Sequence, residues 1–206
     1  MSERVKMYKI NEVFLSLQGE GIRIGTANIF VRFANCNLKC TVEDMGFDCD
    51  TDFTGVWEMT ADKLFELIEE VGKGCKAIIF TGGEPMLQLD APLLEEAQRR
   101  GYYCAAETNG TLALDEQQKE YLDWITVSPK TAEHTIRIQE CNELKYVVPT
   151  NKALPRTTVH ADHYLLSPVF NGNEIDRESL AWCTQKVKEN PKWRLSVQNH
   201  KFWKAR

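Results

Sequence analysis

FVRFANCNLKCTVEDMGFDCDTDF, Phe30 to Phe53, opens as an apolar strand and runs into a polar loop that carries Cys36, Cys40 and Cys49. Three residues separate the first two thiols and eight separate the second from the third. Around them stand Asn35, Asn37, Lys39, Thr41, Glu43, Asp44, Asp48, Asp50 and Asp52, a setting with no apolar periodicity for a core cysteine to serve. A structural zinc wants four closed ligands, whereas an iron–sulfur cluster on three thiolates keeps one iron open to a small molecule. Spacing by itself leaves zinc, redox thiols and an open cluster as readings. Cys75, Cys104, Cys141 and Cys183 lie in apolar or helical patterns and read as small buried hydrophobes.

Outward from this stretch the pattern alternates. Asn28 to Phe33 is a strand rich in branched and aromatic residues, with Arg32 as a charge that needs a partner. Before it, Ile10 to Leu17 is short and partly alternating, and Gln18-Gly19-Glu20-Gly21 reads as a tight turn. After the loop, Thr60 caps a helix carrying Leu64, Leu67, Ile68 and Val71, which Gly72 and Gly74 stop. Strands follow at Ala77 to Phe80, Tyr102 to Ala106, Trp124 to Val127, Glu143 to Val148, Tyr164 to Leu166 and Arg194 to Val197. Helices at Ala91 to Arg100, Asp115 to Leu122 and Asp176 to Glu189 fall between them. Lys130 to Asn142 reads as a loop or an irregular short helix.

Strands alternating with helices imply parallel pairing through crossovers, hence an α/β fold with all strand C-terminal ends on one rim. The polar clusters then converge on that rim: Arg32 with the cysteines, Thr81-Gly82-Gly83-Glu84-Pro85, Glu107-Thr108-Asn109-Gly110, Ser128-Pro129-Lys130 and Ser167-Pro168. Enzymes of the barrel kind build their sites there, and 206 residues are too few for a usual eight-stranded barrel, so a partial TIM-like barrel is expected.

The chain suits one domain spanning 1–206, with 43% hydrophobic and 27% charged residues and a net charge of −5. Seven cysteines and a charged opening, MSERVKMY, point to a reducing cytoplasm. No run of apolar residues is long enough for a membrane span. The acidic balance gives no general pull toward nucleic acid, and the basic, tryptophan-bearing Lys186 to Arg206 reads as a solvated terminal segment.

LQGEG at Leu17 to Gly21, FVRFANCNLKC, CDTDF at Cys49 to Phe53, TGGEP at Thr81 to Pro85, VSPK at Val127 to Lys130 and LSVQNHK at Leu195 to Lys201 carry a resemblance. The chain resembles the radical S-adenosylmethionine (SAM) enzymes, and within them the 7-carboxy-7-deazaguanine synthase family. The likeness covers most of the chain. TGGEP marks the superfamily, while LQGEG with CDTDF points to the family. The usual superfamily spacing is three residues then two; here it is three and eight.

The resemblance implies a [4Fe–4S] cluster on Cys36, Cys40 and Cys49, with its open iron chelating SAM, which on reduction yields a 5′-deoxyadenosyl radical and is later regenerated. Gly82, Gly83 and Glu84 are expected to meet the methionine end of SAM, with Ser128, Pro129 and Lys130 and then Ser167, Pro168, Val169 and Phe170 as its other contacts. Taken as residues alone, the glycines suit a turn and Lys130 a surface charge. Thr51 is expected to give an oxygen to Mg²⁺, although Asp50 or Asp52 is the more obvious ligand on chemistry alone. The implied substrate is 6-carboxy-5,6,7,8-tetrahydropterin, with Arg32 forking its carboxylate and Leu17, Gln18, Gly19, Thr81 and the carboxylate of Arg206 completing its site. The implied reaction begins with hydrogen abstraction from C6 of the pterin, continues through magnesium-assisted ring contraction and ends with loss of ammonia, giving 7-carboxy-7-deazaguanine. An electron donor such as a flavodoxin or ferredoxin, and a homodimer, go with this reading. Glu20, Glu107 and His200 lie in matching segments without an assigned role.

Two rivals share part of the pattern. A small activase that makes a glycyl radical on a partner protein needs the cysteines and TGGEP but not Arg32, LQGEG or Thr51. A zinc-stabilised nucleic-acid-binding module uses the basic tail and is colourless.

Overall fold

In the computed structural model, residues 5–46, 49, 55–150 and 153–205 are described. Thr51 and Arg206, expected at magnesium and substrate, lie outside them. The chain begins with an antiparallel pair, β1 (Tyr8–Leu17) and β2 (Ala27–Phe33), joined by the LQGEG turn. A single helical turn, α1 (Val42–Met45), sits in the cysteine loop, and β3 (Trp57–Met59) adds to the outer side of β1. Then come α2 (Ala61–Gly72), β4 (Ala77–Gly82), α3 (Ala91–Arg99), β5 (Tyr103–Thr108), α4 (Glu116–Tyr121), β6 (Trp124–Val127), β7 (Glu140–Val148) and β8 (His160–Pro168). A small hairpin, β9 (Phe170–Asn171) and β10 (Glu174–Ile175), leads to α5 (Arg177–Glu189), β11 (Trp193–Leu195) and α6 (Asn199–Trp203).

Local chemistry sets these boundaries. Thr60, Asp90, Asp115 and Asp176 each accept the N-cap hydrogen bond of the helix that follows, and α2 stops where Lys73 takes a left-handed φ of 47°. Among the described residues, nine strands form one sheet in the order β11-β8-β7-β6-β5-β4-β2-β1-β3. From β2 to β11 every pairing is parallel; β1 and β3 run antiparallel at the other edge. The outermost strands do not meet, so the sheet is an open, partial barrel, and only its N-terminal edge departs from the expected parallel order.

The two-residue period of a strand divides the sheet into faces. Ile29, Val31 and Phe33 of β2, Ile78 and Phe80 of β4, and Cys104 and Ala106 of β5 pack against Leu64, Phe65 and Ile68 of α2 and Leu93 and Leu94 of α3. Burying each of the large side chains here contributes about 1.5–3 kcal/mol. On the other face Phe30, Ile79, Ala105 and Trp124 stand side by side in register, and Phe14 stacks on Phe30 with ring centroids 5.1 Å apart. One pleat nearer the C-terminal ends, Arg32 pairs with Thr81, Glu107 with Thr126, and Thr126 with Glu143. The apolar row forms a floor, and the polar row lies directly above it.

The tail is not a solvated segment, contrary to its composition. β11 pairs with β8, and Trp193, 5% exposed, packs edge-on against Tyr146 and Tyr164 at 6.0 and 5.6 Å. Trp193 supplies apolar area that the positive charges of the segment conceal in an average, while Phe202 and Trp203 stay exposed. Cys104 and Cys183 are buried as expected, while Cys75 and Cys141 are half-buried against the core. Lys130 to Asn142 holds one 3₁₀ turn at Glu133–Thr135 before β7 begins.

Candidate active site

Above the polar row the strand ends open into a cavity of about 880 Å³. Cys36, Cys40 and Cys49 line it, as do Gly82, Gly83, Ser128, Lys130, Pro168 and Phe170 from the expected SAM contacts. Leu17, Gln18, Gly19, Arg32 and Thr81, expected at the substrate, line the same space. Pro129, Ser167 and Val169 are buried outside the lining, and so is Glu84.

Glu84 has work of its own. It is fully buried, and its carboxylate accepts the Thr108 hydroxyl at 2.7 Å, the Asn109 N–H at 2.7 Å and the Met86 N–H at 3.0 Å. Burial pushes its pKa up, against the pull of those three donors and of Lys130. The carboxylate thus caps the 3₁₀ turn Pro85–Leu87 and ties TGGEP to the end of β5.

The cysteine loop is held from two sides. Gly83 N donates to Phe33 O at 3.1 Å and Glu84 N to Asn35 O at 3.0 Å, with Asn35 at a φ of 74° to present that oxygen. A Cβ on Gly82, whose φ is 132°, would stand 2.2 Å from Phe33 O, so the approach needs glycine. From the other side, Asn109 Nδ2 donates to Asn37 Oδ1 at 3.0 Å and Asn37 Nδ2 to Thr111 Oγ1 at 2.8 Å. Leu38 N donates to Cys36 Sγ at 3.4 Å, while burial pushes the Cys36 thiol up.

The donor set fits a cluster better than one ion. Among the described residues no three His, Cys, Asp or Glu converge as a single metal ion requires. Four thiolates on one zinc lie only about 3.8 Å apart, given a Zn–S bond of about 2.3 Å. Three thiols spread around one cavity suit a cluster that gives each its own iron.

The polar row is cross-linked. Arg32 Nε donates to Glu12 Oε1 at 2.8 Å. Glu107 accepts Gln18 Nε2 at 2.8 Å and the Thr81 hydroxyl at 3.1 Å. Glu143, 3% exposed, accepts Ile22 N at 2.9 Å, and burial raises its pKa to about 7, with Glu107 adding to the rise and Ile22 N and Arg23 opposing it. Lys145 pairs with Glu20. Lys130 Nζ donates to Ser128 Oγ at 2.6 Å. The C-terminal segment closes over the turn: Asn199 N donates to Gly19 O at 2.9 Å and Gly21 N to Ser196 Oγ at 3.0 Å, with His200 against Gly19.

Sequence reading missed Glu12, Glu143 and Lys145; it placed Asn37 in the cysteine loop and Asn109 on the rim without the contact between them. The alternation Glu143, Lys145, Val147 was the available signal, since it puts three residues of β7 on one face.

An open parallel sheet with three thiols and a glycine-rich loop at its C-terminal rim defines an enzyme of the radical SAM class, and residues 30–147 match the radical SAM superfamily. The chain is 39% identical over 197 residues to the 7-carboxy-7-deazaguanine synthase of Bacteroides thetaiotaomicron, covering 95% of this chain and 97% of that one. It is 36% identical over 213 residues to the enzyme of the same name from Burkholderia multivorans, again covering 95% and 97%. The chain belongs to the 7-carboxy-7-deazaguanine synthase family. The crystal structure of QueE from Escherichia coli shares its fold, with a TM-score of 0.68 at 23% identity over 94% of this chain and 95% of that one. Among the described residues no helix is long and apolar enough to cross a membrane.

Proposed function

We propose that this protein is a 7-carboxy-7-deazaguanine synthase, converting 6-carboxy-5,6,7,8-tetrahydropterin to 7-carboxy-7-deazaguanine with loss of ammonia. The observation that carries the reading is one cavity lined at once by the three thiols, the Gly82-Gly83 backbone and the polar row around Arg32. When bound, the [4Fe–4S] cluster and SAM supply the radical chemistry, and Mg²⁺ supplies charge at the substrate's oxygens.

The chain's own work is holding and aiming. Cys36, Cys40 and Cys49 hold the cluster and Thr51 the magnesium. The Gly82-Gly83 backbone, with Ser128 and Lys130, receives the methionine end of SAM, and Pro168 and Phe170 flank it. Glu84, Pro129, Ser167 and Val169 act from behind the lining; Val169 N, for example, is fixed on Ser179 Oγ at 2.9 Å. Arg32, steadied by Glu12, takes the substrate carboxylate. Glu107 sets the orientation of the Gln18 amide and the Thr81 hydroxyl, which with Leu17, Gly19 and the Arg206 carboxylate address the pterin. The floor of Phe14, Phe30, Ile79 and Trp124 keeps water from entering beneath.

The reading brings with it a cytoplasmic homodimer, a flavodoxin or ferredoxin as reductant, and no nucleic-acid partner. Its test is anaerobic incubation of iron-reconstituted protein with SAM, reductant, magnesium and the pterin, followed by mass spectrometry. Deazaguanine product that disappears with Cys49→Ala and falls with Thr51→Ala is the expected result. SAM cleavage without that product would retain the superfamily and reject the substrate.

A further inference from the structure

Lys145, on the inward face of β7, holds its ammonium against the carboxylate of Glu20 in the LQGEG turn. The two side chains are 11% and 13% exposed, yet both line the cavity. A covered ion pair is a poor source of stability, because desolvating two charges offsets most of their attraction. Nor is the pair needed as a fastener. The turn already rests on Glu143 through Ile22 N, on Ser196 through Gly21 N, and on Asn199 through Gly19 O.

The other ionisable groups of the cavity wall have other partners. Glu107 holds Gln18 and Thr81, Arg32 holds Glu12, Lys130 donates to Ser128 and Lys201 to Gly172 O. His200 packs on Gly19, and Glu143, on the same face of β7, serves Ile22. Glu20 and Lys145 are thus an acid and a base set against each other at the edge of the reaction space.

The proposed reaction needs such a pair. Substrate and product differ by one ammonia, with no net change in oxidation. A nitrogen leaving carbon takes the bonding electrons and cannot depart as an amide anion, so it must gain a proton. The neighbouring carbon must lose one for the new ring double bond to form.

We propose that Glu20 and Lys145 are catalytic residues, the base and the acid of ammonia loss. The C–H bond breaks with its proton going to the Glu20 carboxylate and its electron pair forming the carbon–carbon double bond. The C–N bond breaks with its pair staying on nitrogen, which takes a proton from the Lys145 ammonium and leaves as ammonia. The proton on Glu20 then crosses to the neutral Lys145 amine, and the pair is restored without net uptake or release. Burial lowers the Lys145 pKa to about 8, which makes it a readier donor than an ordinary lysine and still leaves it charged at neutral pH.

This step rests on the deazaguanine synthase reading, so the test separates the two. Reconstituted wild type, Lys145→Met, Lys145→Arg, Glu20→Gln and the double variant Glu20→Gln/Lys145→Met are given SAM, reductant, magnesium and pterin deuterated at C6. Pterin binding, loss of the C6 label and release of ammonia are followed separately. We expect binding and label loss to persist in all variants while ammonia release falls at least ~100-fold, with an isomer of the substrate's mass accumulating. Lys145→Arg, which keeps the charge but holds its protons too tightly to give one up, is expected to resemble Lys145→Met. The double variant leaves no lone buried charge and provides the comparison if a single one fails to fold.

Ammonia release at the wild-type rate in Lys145→Met would overturn the proposal, as would loss of pterin binding, which would make the pair an anchor. A wild type that binds no pterin and retains the label would remove the underlying reading instead.

Discussion

A Cβ on Gly83 would stand 2.1 Å from the carbonyl oxygen of Asn35, so the TGGE loop lies directly on the entrance to the cysteine loop. The contact is between backbones and has no flexible side chain to yield. Gly83→Ala is expected to push the two loops apart, at a cost of about 1–3 kcal/mol in strain. The sheet is built without this contact, so circular dichroism should be unchanged. Iron retained after anaerobic reconstitution should fall below half of the wild-type amount, because the base of Cys36 moves. Full iron content in a folded Gly83→Ala protein would show that the loops are independent.

Glu84 and Thr108 make the second prediction. If the carboxylate is an internal tie, removing its partner should resemble altering the carboxylate itself. Thr108→Val leaves Glu84 short of one donor in a buried place, a loss of about 1–3 kcal/mol. Glu84→Gln turns an amide N–H toward donors and should cost at least as much. SAM affinity should weaken in step in the two variants, as measured by equilibrium binding to the reconstituted protein. A large loss of affinity confined to Glu84→Gln would mean that the carboxylate also touches the cofactor.

What could be read from the sequence follows from how local each signal is. TGGEP, ETNG and SPK announce themselves because each glycine or proline cluster ends a short apolar run, and parallel strands then bring them to one rim. β1 was harder. A register shift between Ile10 and Glu12 breaks its alternation, so ten residues of strand look like a shorter, irregular piece. The pairs that knit the cavity are not local at all. Glu20 meets Lys145 across 125 positions and Asn199 meets Gly19 across 180, and no composition or period links such residues before the fold exists. Lys145 is legible only in part: in ELKYVV the alternation with Glu143 and Val147 puts it on one face of the strand, but only the neighbouring turn explains its burial.

Gly19 and His200 lead to the third prediction. A Cβ on Gly19 would fall 2.1 Å from His200 Nδ1 and 2.7 Å from its Cβ, so Gly19→Ala displaces the imidazole at its root. The C-terminal segment should then sit less closely on the turn. Pterin binding is expected to weaken about tenfold, equivalent to ~1.4 kcal/mol, while iron content and SAM binding stay as in wild type. Separate titrations with pterin and SAM distinguish this from a general loss of structure. Equal weakening of both ligands would place the segment's influence on the whole cavity.

Glu143 links the fold to pH. Its pKa is about 7 in the folded chain against an ordinary value of 4.5, chiefly through burial. Between those values the folded protein keeps a proton that the unfolded chain has released. Stability therefore falls as pH rises through the window, with the penalty absent below about 4.5 and complete above about 7. It amounts to something on the order of 3 kcal/mol. Glu143→Gln removes the charge but leaves an amide oxygen to accept Ile22 N–H, so the turn keeps its support. The variant should melt several degrees above wild type at pH 8, at ~2–4 °C per kcal/mol for a chain of this size, and no higher at about pH 4, below the window. Comparing the two proteins cancels the titrating groups that do not interact with Glu143, which leaves the site formed with Glu107 and Arg23 as the difference read. A variant less stable than wild type at pH 8 would mean that the ionised carboxylate, through Ile22 N–H and Arg23, returns more than its burial costs.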